Sequence, residues 1–277
     1  MPDAPLNDDR PFRHYTLKHR VVAWISTRLF DRVTYTVGHG LLTGMKRKGG
    51  LGWLPERLSP STPTAEQKFW ASLNLQGKIA YDVGAFQGLI TLLLASRAKK
   101  VIAFEPNTRN CKRLMENLAL NHIENVEVRK MGVSSKHESR TMVGSPLMPG
   151  GSSLDDKVAS ELLRSGLGTF VEEVPLVTLD EEIEAGLPAP DFIKVDIEGW
   201  ELEALKGARK TLAAYHPALF LEMHGETVNE KKRKVAELVA FLWEMNYRRI
   251  RHIETGSEIT PQNSSVAMQG HLHCQPA

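Results

Sequence analysis

Two groups of residues in this 277-residue chain have the types and spacing to do chemistry. The first is Asp82-x-Gly84-Ala85-x-x-Gly88, followed 17 residues later by Glu105. Glycines at this spacing make a tight turn where no Cβ keeps a ligand from the main chain. A dinucleotide site usually carries G-x-G-x-x-G to cradle a pyrophosphate. Here the middle glycine is missing, and an acid stands two residues before the first. A carboxylate at that point repels a pyrophosphate but suits a ligand bearing a cation or an ammonium group. S-adenosylmethionine (SAM), with its sulfonium, amine and carboxylate, is such a ligand. Glu105 can accept both hydroxyls of a ribose, as acids do at the same place in other nucleoside-binding α/β folds. The second group is Asp196, Glu198, Glu222 and His224. A histidine among carboxylates can act as a general base near neutral pH. Alternatively, Asp196, Glu222 and His224 can ligate Mg²⁺ or a transition metal that lowers the pKa of a bound hydroxyl.

Both groups sit where a parallel sheet would bring them together. Ile79–Val83 is a short apolar run, the pattern of a buried parallel strand, and LITLLLA after Gly88 reads as a buried helix. Strand, glycine turn and helix together offer backbone N–H groups to a ligand. Val101–Phe104 is a second strand ending in Glu105. Pro106-Asn107 starts the next helix, in which Cys111, Leu114, Met115 and Leu118 keep a 3.6-residue period. Further strands are expected over Val126–Met131, Phe192–Val195 and Ala218–Leu221. Their alternation with helices predicts a doubly covered parallel sheet. Ligands in such sheets bind beyond the carboxyl ends of the strands. Asp196, Glu198, Glu222 and His224 therefore converge on the rim that carries Asp82 and Glu105.

Other readings of these residues are structural. Asp196 and Glu198 could cap the helix expected from Trp200 to Ala214. His224 could be a satisfied core histidine, and Lys194 is read as the partner of an acid. The sequence favours a metal-free His224 base, because Asp196 as a cap leaves fewer metal ligands. His271-x-His273-Cys274 reads as a frayed end.

Around this core the chain divides into residues 1–63, an N-terminal helical appendage and linker, and residues 64–277, a domain with an insertion at 135–190. Within the appendage, Val21, Ile25 and Leu29 give a helical stripe in a segment from Phe12 to about Leu42. Thr64–Gln67 looks like a helix start. The insertion has β-like pieces at Arg140–Val143 and Val171–Val177 around GGSSLDD, a hydroxyl-rich stretch suited to a lid over a substrate. Tyr247–Ile253 and Ser265–Met268 read as a closing hairpin.

The chain is 42% hydrophobic and 25% charged, ordinary for a globule with a full core. Its net charge of +2 exerts no general pull on nucleic acid. Residues 1–60 hold ten Lys/Arg against five Asp/Glu. The basic N-terminal helix is expected to cover the core; it could also attract an anionic substrate, or rest on a membrane surface through Trp24, Ile25 and Phe30. Two cysteines, a polar N-terminus and no long apolar run predict a cytoplasmic protein without a disulfide framework. Oligomeric state is not legible.

The blocks YDVGAFQG, AFEPN, GGSSLD, TLDE, IKVDIEGWE, LKGA and LEMH occur in that order. Together they resemble the FkbM-type SAM-dependent methyltransferases, from about Lys78 to Gly225. The resemblance implies a class I methyltransferase fold: a Rossmann-like, mostly parallel seven-stranded sheet with helices on both faces. It also implies O-methylation of a hydroxyl on a sugar, a lipid-linked molecule or a secondary metabolite. Asp82, Gly84, Ala85, Gly88, Glu105 and Pro106 would be SAM contacts. Many such enzymes hold the adenine amine with an acid after the third strand. Met131-Gly132-Val133-Ser134 offers none, so that contact falls to main chain or Ser134. Two other functions fit less well. An NAD(P)-dependent oxidoreductase lacks its G-x-G-x-x-G, and a non-catalytic SAM- or nucleoside-binding module would not need the acids at the later strand ends. A nucleic-acid methyltransferase lacks an N/D-P-P-Y-type motif.

Overall fold

The computed structural model describes residues 33–49, 62–145, 169–225 and 227–277, together with Ser160 and Leu163. In chain order the elements begin with β1 (Thr34–Thr36), β2 (Lys46–Lys48) and α1 (Ala65–Ser72). The first βαβ units follow as β3 (Ile79–Val83), α2 (Leu89–Ala95), β4 (Lys100–Phe104), α3 (Thr108–Leu120) and β5 (Val126–Arg129). Next come β6 (Gly132–Val133), β7 (Glu138–Gly144), β8 (Phe170–Val177), α4 (Leu179–Glu184) and β9 (Phe192–Val195). The chain continues through α5 (Glu201–Lys206), α6 (Arg209–Tyr215), β10 (Ala218–Glu222) and α7 (Val228–Glu244). It closes with β11 (Tyr247–His252), a 3₁₀ turn (Ser264–Ala267) and β12 (His271–Pro276).

Seven strands form one sheet in the order β11-β12-β10-β9-β3-β4-β5. All neighbours are parallel except those of β12, which runs antiparallel to β10 and β11. From β3 the chain moves outward to β4 and β5, then crosses back to β9 and β10. The switch point, where a doubly wound sheet opens a crevice, therefore lies between β3 and β9. Alternate strand residues feed two cores. Tyr81, Ile102, Ile193 and Leu219 pack with α5, α6 and α7 on one face. Ala80, Val101, Phe192 and Phe220 pack with α1, α2 and α3 on the other. This is the class I methyltransferase arrangement expected from sequence. The helix starts are also as read: Thr64 closes a capping box with Gln67, and Asn107 accepts from the Asn110 N–H.

Four expectations change. The N-terminal segment does not continue as helix to Leu42. Residues 34–48 form a β-hairpin instead, and Asn117 of α3 and its C-cap residue Asn121 accept the Lys48 and Lys46 N–H groups. The stripe Val21–Leu29, Trp24 and Phe30 lie outside the described residues, as does GGSSLDD. The helix expected from Trp200 to Ala214 is broken at Gly207, where a Cβ would stand 1.9 Å from the Ser134 carbonyl oxygen. The partner of β11 is not Ser265–Met268 but His271–Pro276. There Leu272 and Cys274 alternate inward, so His271-x-His273-Cys274 is an interior strand of the sheet and not a frayed end. Strands β7 and β8 of the insertion join β6, just before it, in a separate three-stranded sheet of order β6-β8-β7, whose Gly132, Val133 and Met142 reach the crevice. Among the described residues no helix is long and apolar enough to cross a membrane.

Candidate active site

The β3–α2 turn is built from left-handed residues. Gly84, Phe86 and Gly88 have φ of 80°, 49° and 86°. Gly84 has a packing reason as well: a Cβ there would lie 1.9 Å from the Asp196 carbonyl oxygen at the end of β9. Only glycine lets the two strand ends touch. At Gly88 a Cβ would stand 2.3 Å from Cδ1 of Leu114 in α3. The Gly84 and Ala85 N–H groups are spent on the Phe104 carbonyl, both at 3.0 Å. The next N–H, that of Phe86, donates to Glu105 Oε2 at 2.8 Å, and the Asn107 N–H donates to Oε1 at 2.9 Å. Each carboxylate oxygen can accept twice. The Asn110 Nδ2 also donates to Oε1, at 3.4 Å, so Glu105 is held rigidly and its spare acceptor capacity lies on Oε2. Burial lifts its pKa to about 7 against the lowering pull of these bonds.

A cavity of about 170 Å³ opens at this point. Its walls include Gly84, Phe86, Glu105, Pro106, Val133 and Asp196, and Asn110, Gly132, Met142 and Glu198 complete much of the rest. Of the residues expected to touch SAM, Gly84, Glu105 and Pro106 line it. Asp82, Ala85, Gly88 and Ser134 do not. Asp82 lies one layer behind, fully buried: its Oδ2 accepts from Thr91 Oγ1 at 2.6 Å, and its Oδ1 is 3.2 Å from Lys194 Nζ. Its effect on the cavity passes through Lys194, which also donates to the Gly84 carbonyl at 2.8 Å and pairs with Asp196 at 3.2 Å. Burial would lower the Lys194 pKa, but the Asp196 and Asp82 carboxylates outweigh it and hold the ammonium charged. Ser134 is buried and accepts from Trp200 Nε1 at 3.1 Å. Sequence reading missed Phe86, Asn110 and Met142. Only Asn110 had a signal, since it falls in the first turn of the helix that follows Glu105.

The second group assembles beside the first. His224 Nδ1 is 2.9 Å from Glu201 Oε1, while Nε2 faces Glu222 Oε1 at 3.5 Å, Asp196 Oδ1 at 3.6 Å and Glu198 Oε2 at 3.7 Å. Burial would lower its pKa, but the Glu201 hydrogen bond and the surrounding carboxylates raise it to about 9. These carboxylates favour the imidazolium form of His224, whereas a metal-free base needs the neutral ring. Asp196 does not cap α5. Burial pushes its pKa up, but Lys194 and His224 draw it below the ordinary carboxylate value. The N–H of Gly199 goes to Glu201 at 2.9 Å. Asp196, Glu222 and His224 can bring one ligand atom each to within 4.8 Å of one another.

The residues present fit SAM. A buried carboxylate with free acceptor sites suits a ribose diol, apolar surfaces from Phe104, Pro106 and Val133 suit a base, and Asp196 places negative charge in the same cavity.

Residues 82–249 match the family model described as methyltransferase FkbM domain. Hexuronic acid methyltransferase AglP of Haloferax volcanii is 31% identical over 147 residues, covering 53% of this chain and 56% of the relative. Methyltransferase sdnD of Sordaria araneosa is 30% identical over 151 residues, covering 46% of this chain and 58% of the relative. The chain thus spans a little over half the length of these two curated relatives. A solved FkbM methyltransferase from Methylobacillus flagellatus superposes with a TM-score of 0.49 at 20% identity, covering 74% of this chain and 45% of that one.

Proposed function

Because this chain belongs to the FkbM methyltransferase domain family, we propose that it transfers a methyl group from SAM to a hydroxyl of a small molecule: a sugar, a lipid-linked molecule or a secondary metabolite. The observation that carries the reading is the cavity wall shared by Glu105 and Asp196. It joins a ribose-type acceptor to a rim of acid–base groups. The named relatives support the acceptor class, since AglP is a hexuronic acid methyltransferase. The two cysteines are buried free thiols, which supports a reducing, cytoplasmic setting.

SAM, when bound, supplies an electrophilic methyl on a sulfonium. Glu105 holds the ribose hydroxyls, and Phe104, Pro106 and Val133 exclude water around the base. Asp82 and Lys194 fix the Gly84 turn against β9. The rim orients the acceptor and deals with its proton. Alignment of the reacting groups supplies a large share of the rate.

Two accounts of the proton fit the rim. In one, Asp196 or Glu222 takes it while the His224 imidazolium balances the charge. In the other, Asp196, Glu222 and, once its Nε2 proton is released, His224 would hold a divalent cation, which would supply Lewis acidity to the acceptor hydroxyl. The fixed ring favours the second: Glu201 occupies Nδ1 and leaves Nε2 turned towards the carboxylates, the arrangement that usually supports a metal-bound histidine.

Calorimetry should detect S-adenosylhomocysteine and not NAD; NAD binding without a response to SAM overturns the cofactor. With labelled SAM and a panel of sugar and secondary-metabolite hydroxyls, His224→Ala should cut turnover by about 10²- to 10⁴-fold with little change in SAM affinity, whereas Asp196→Asn, which alters the cavity wall itself, should lower both. EDTA should abolish activity and Mg²⁺ or Mn²⁺ restore it. Intact turnover in EDTA removes the cation but leaves the carboxylate account standing.

A further inference from the structure

A second pocket, of about 420 Å³, lies on the sheet face under α1, against the β11 edge. Ala65, Lys68, Phe69 and Ser72 form one wall, at the spacing of a single helical face. Arg251, Ile253 and His273 form the other. None of these residues lines the Glu105–Asp196 cavity. Phe69 packs on the His273 ring at 4.9 Å, and Arg251 stands directly opposite His273 in the β11–β12 register. Arg249, two residues before Arg251, is on the same face of its strand.

The pocket wall carries Lys68, Arg251 and His273 and no acid, although Glu258 lies opposite Arg251 across a β-bridge outside it. Lys68, Arg249 and Arg251 are exposed and have no carboxylate partner among the described residues. The ring nitrogens of half-buried His273 likewise have no hydrogen-bond partner among them. Burial, then Arg249 and Arg251, lower the His273 pKa. Glu66, the acid on the adjoining turn of α1, accepts from Trp70 Nε1 at 2.9 Å; it keeps its charge but is not part of the pocket wall. Surface lysines and arginines are usually interspersed with acids. Like charges brought to one concavity repel one another, and a bound anion reverses that cost. Arginine forks, a lysine and an imidazole around a concave wall match the several oxygens of a phosphoryl group. The Phe69 ring beside them offers apolar surface to whatever carries the phosphate.

We infer that this pocket binds a phosphate-bearing ligand, held by Lys68, Arg249 and Arg251 with His273 as an additional hydrogen-bond partner. The site is separate from the methyl-transfer cavity and stands whether or not that reading holds. The phosphate could belong to a soluble phosphorylated molecule or to a lipid headgroup, and the chemistry of recognition is the same.

Inorganic pyrophosphate is the first probe, used on the full chain. Proton NMR should show the His273 imidazole signal, assigned with His273→Gln, moving in a saturable way and titrating at higher pH with the anion present. Losing Arg251 removes a charge-assisted contact, so Arg251→Ala should weaken pyrophosphate binding by about tenfold or more. Lys68→Ala with Arg251→Ala should abolish it. Affinity for S-adenosylhomocysteine should stay unchanged in both, which excludes a general loss of fold. Vesicles containing phosphatidic acid, compared with phosphatidylcholine alone, distinguish the sources: retention on the acidic vesicles that the double variant loses assigns a lipid headgroup, and a response to pyrophosphate without retention assigns a soluble ligand. A His273 signal unmoved by millimolar pyrophosphate, or a response of equal strength in the double variant, overturns the inference.

Discussion

At the scale of single residues, the site depends on charges whose partners are all protein groups. Lys194 is 3.2 Å from both Asp82 and Asp196; it and Asp82 are buried, while Asp196 is half-buried at the cavity. Lys194→Ala would leave Asp82 buried without its counter-charge, a change that typically costs about 3–5 kcal/mol. Urea unfolding should report a loss of that size; a loss under about 1 kcal/mol would show that the pair does not brace the turn. Glu105 behaves differently, because its partners are neutral donors, two backbone N–H groups and the Asn110 amide, and burial lifts its pKa to about 7. A ribose diol donates to the ionised form and so favours it. Nucleoside affinity should therefore rise with pH through about 7, by roughly tenfold between pH 6 and pH 8 if only the carboxylate binds. Glu105→Gln should flatten this dependence and weaken binding by about 1–3 kcal/mol. Equal affinity at both pH values in the parent protein would show that Glu105 does not hold the ribose.

At the scale of elements, the strand ends do the positioning, and their closeness can be tested. Gly84→Ala forces a left-handed φ on a residue with a Cβ and drives that Cβ into the Asp196 carbonyl. The two penalties together come to about 2–5 kcal/mol. Thermal unfolding should drop accordingly and SAM binding should fail; a stable, binding-competent variant would mean the turn relaxes freely. The same elements explain what was legible in the sequence. Strands buried on both faces are continuous apolar runs, so Ile79–Val83 and Phe192–Val195 could be read directly. Strand ends follow from them, which placed Glu105, Asp196, Glu222 and His224 on one rim. The direction of Asp82 was not legible. It depends on the pairing of Asp82 with Lys194 across β3 and β9, a contact 112 residues apart in sequence. Nor was β12: its outward positions are histidines, and only the tertiary partners Phe220 and Glu254 make them interior. The protonated state of His224 was hidden for the same reason, since Glu198, Glu201 and Glu222 surround it only once β9, α5 and β10 are assembled.

At the scale of the whole molecule, the histidines link stability to pH. His224 and His271 are both raised from 6.5 to about 9, His271 by Glu222 and Glu254 against the effect of burial. A histidine raised in the folded state stabilises fully below its unfolded pKa and loses that contribution as pH climbs through the folded value. In EDTA, unfolding free energy should therefore fall between about pH 6.5 and 9, by up to about 1.4 kcal/mol per pH unit for each group. The double variant His224→Gln/His271→Gln should be flatter over that window, and an equal slope would place the dependence elsewhere. The sheet order has a different kind of consequence. β12 is the last strand of the sheet in sequence, yet it lies inside the sheet, between β10 and β11. As the chain leaves the ribosome, β10 and β11 must wait with unpaired edges until residues 271–276 emerge between them. The sheet cannot close progressively during synthesis. Until then Leu219, Leu221 and the row of free β10 backbone groups are open to any passing strand. A chain cut before residue 271 would remain a client for chaperones, with the rim around His224 missing the support of β12.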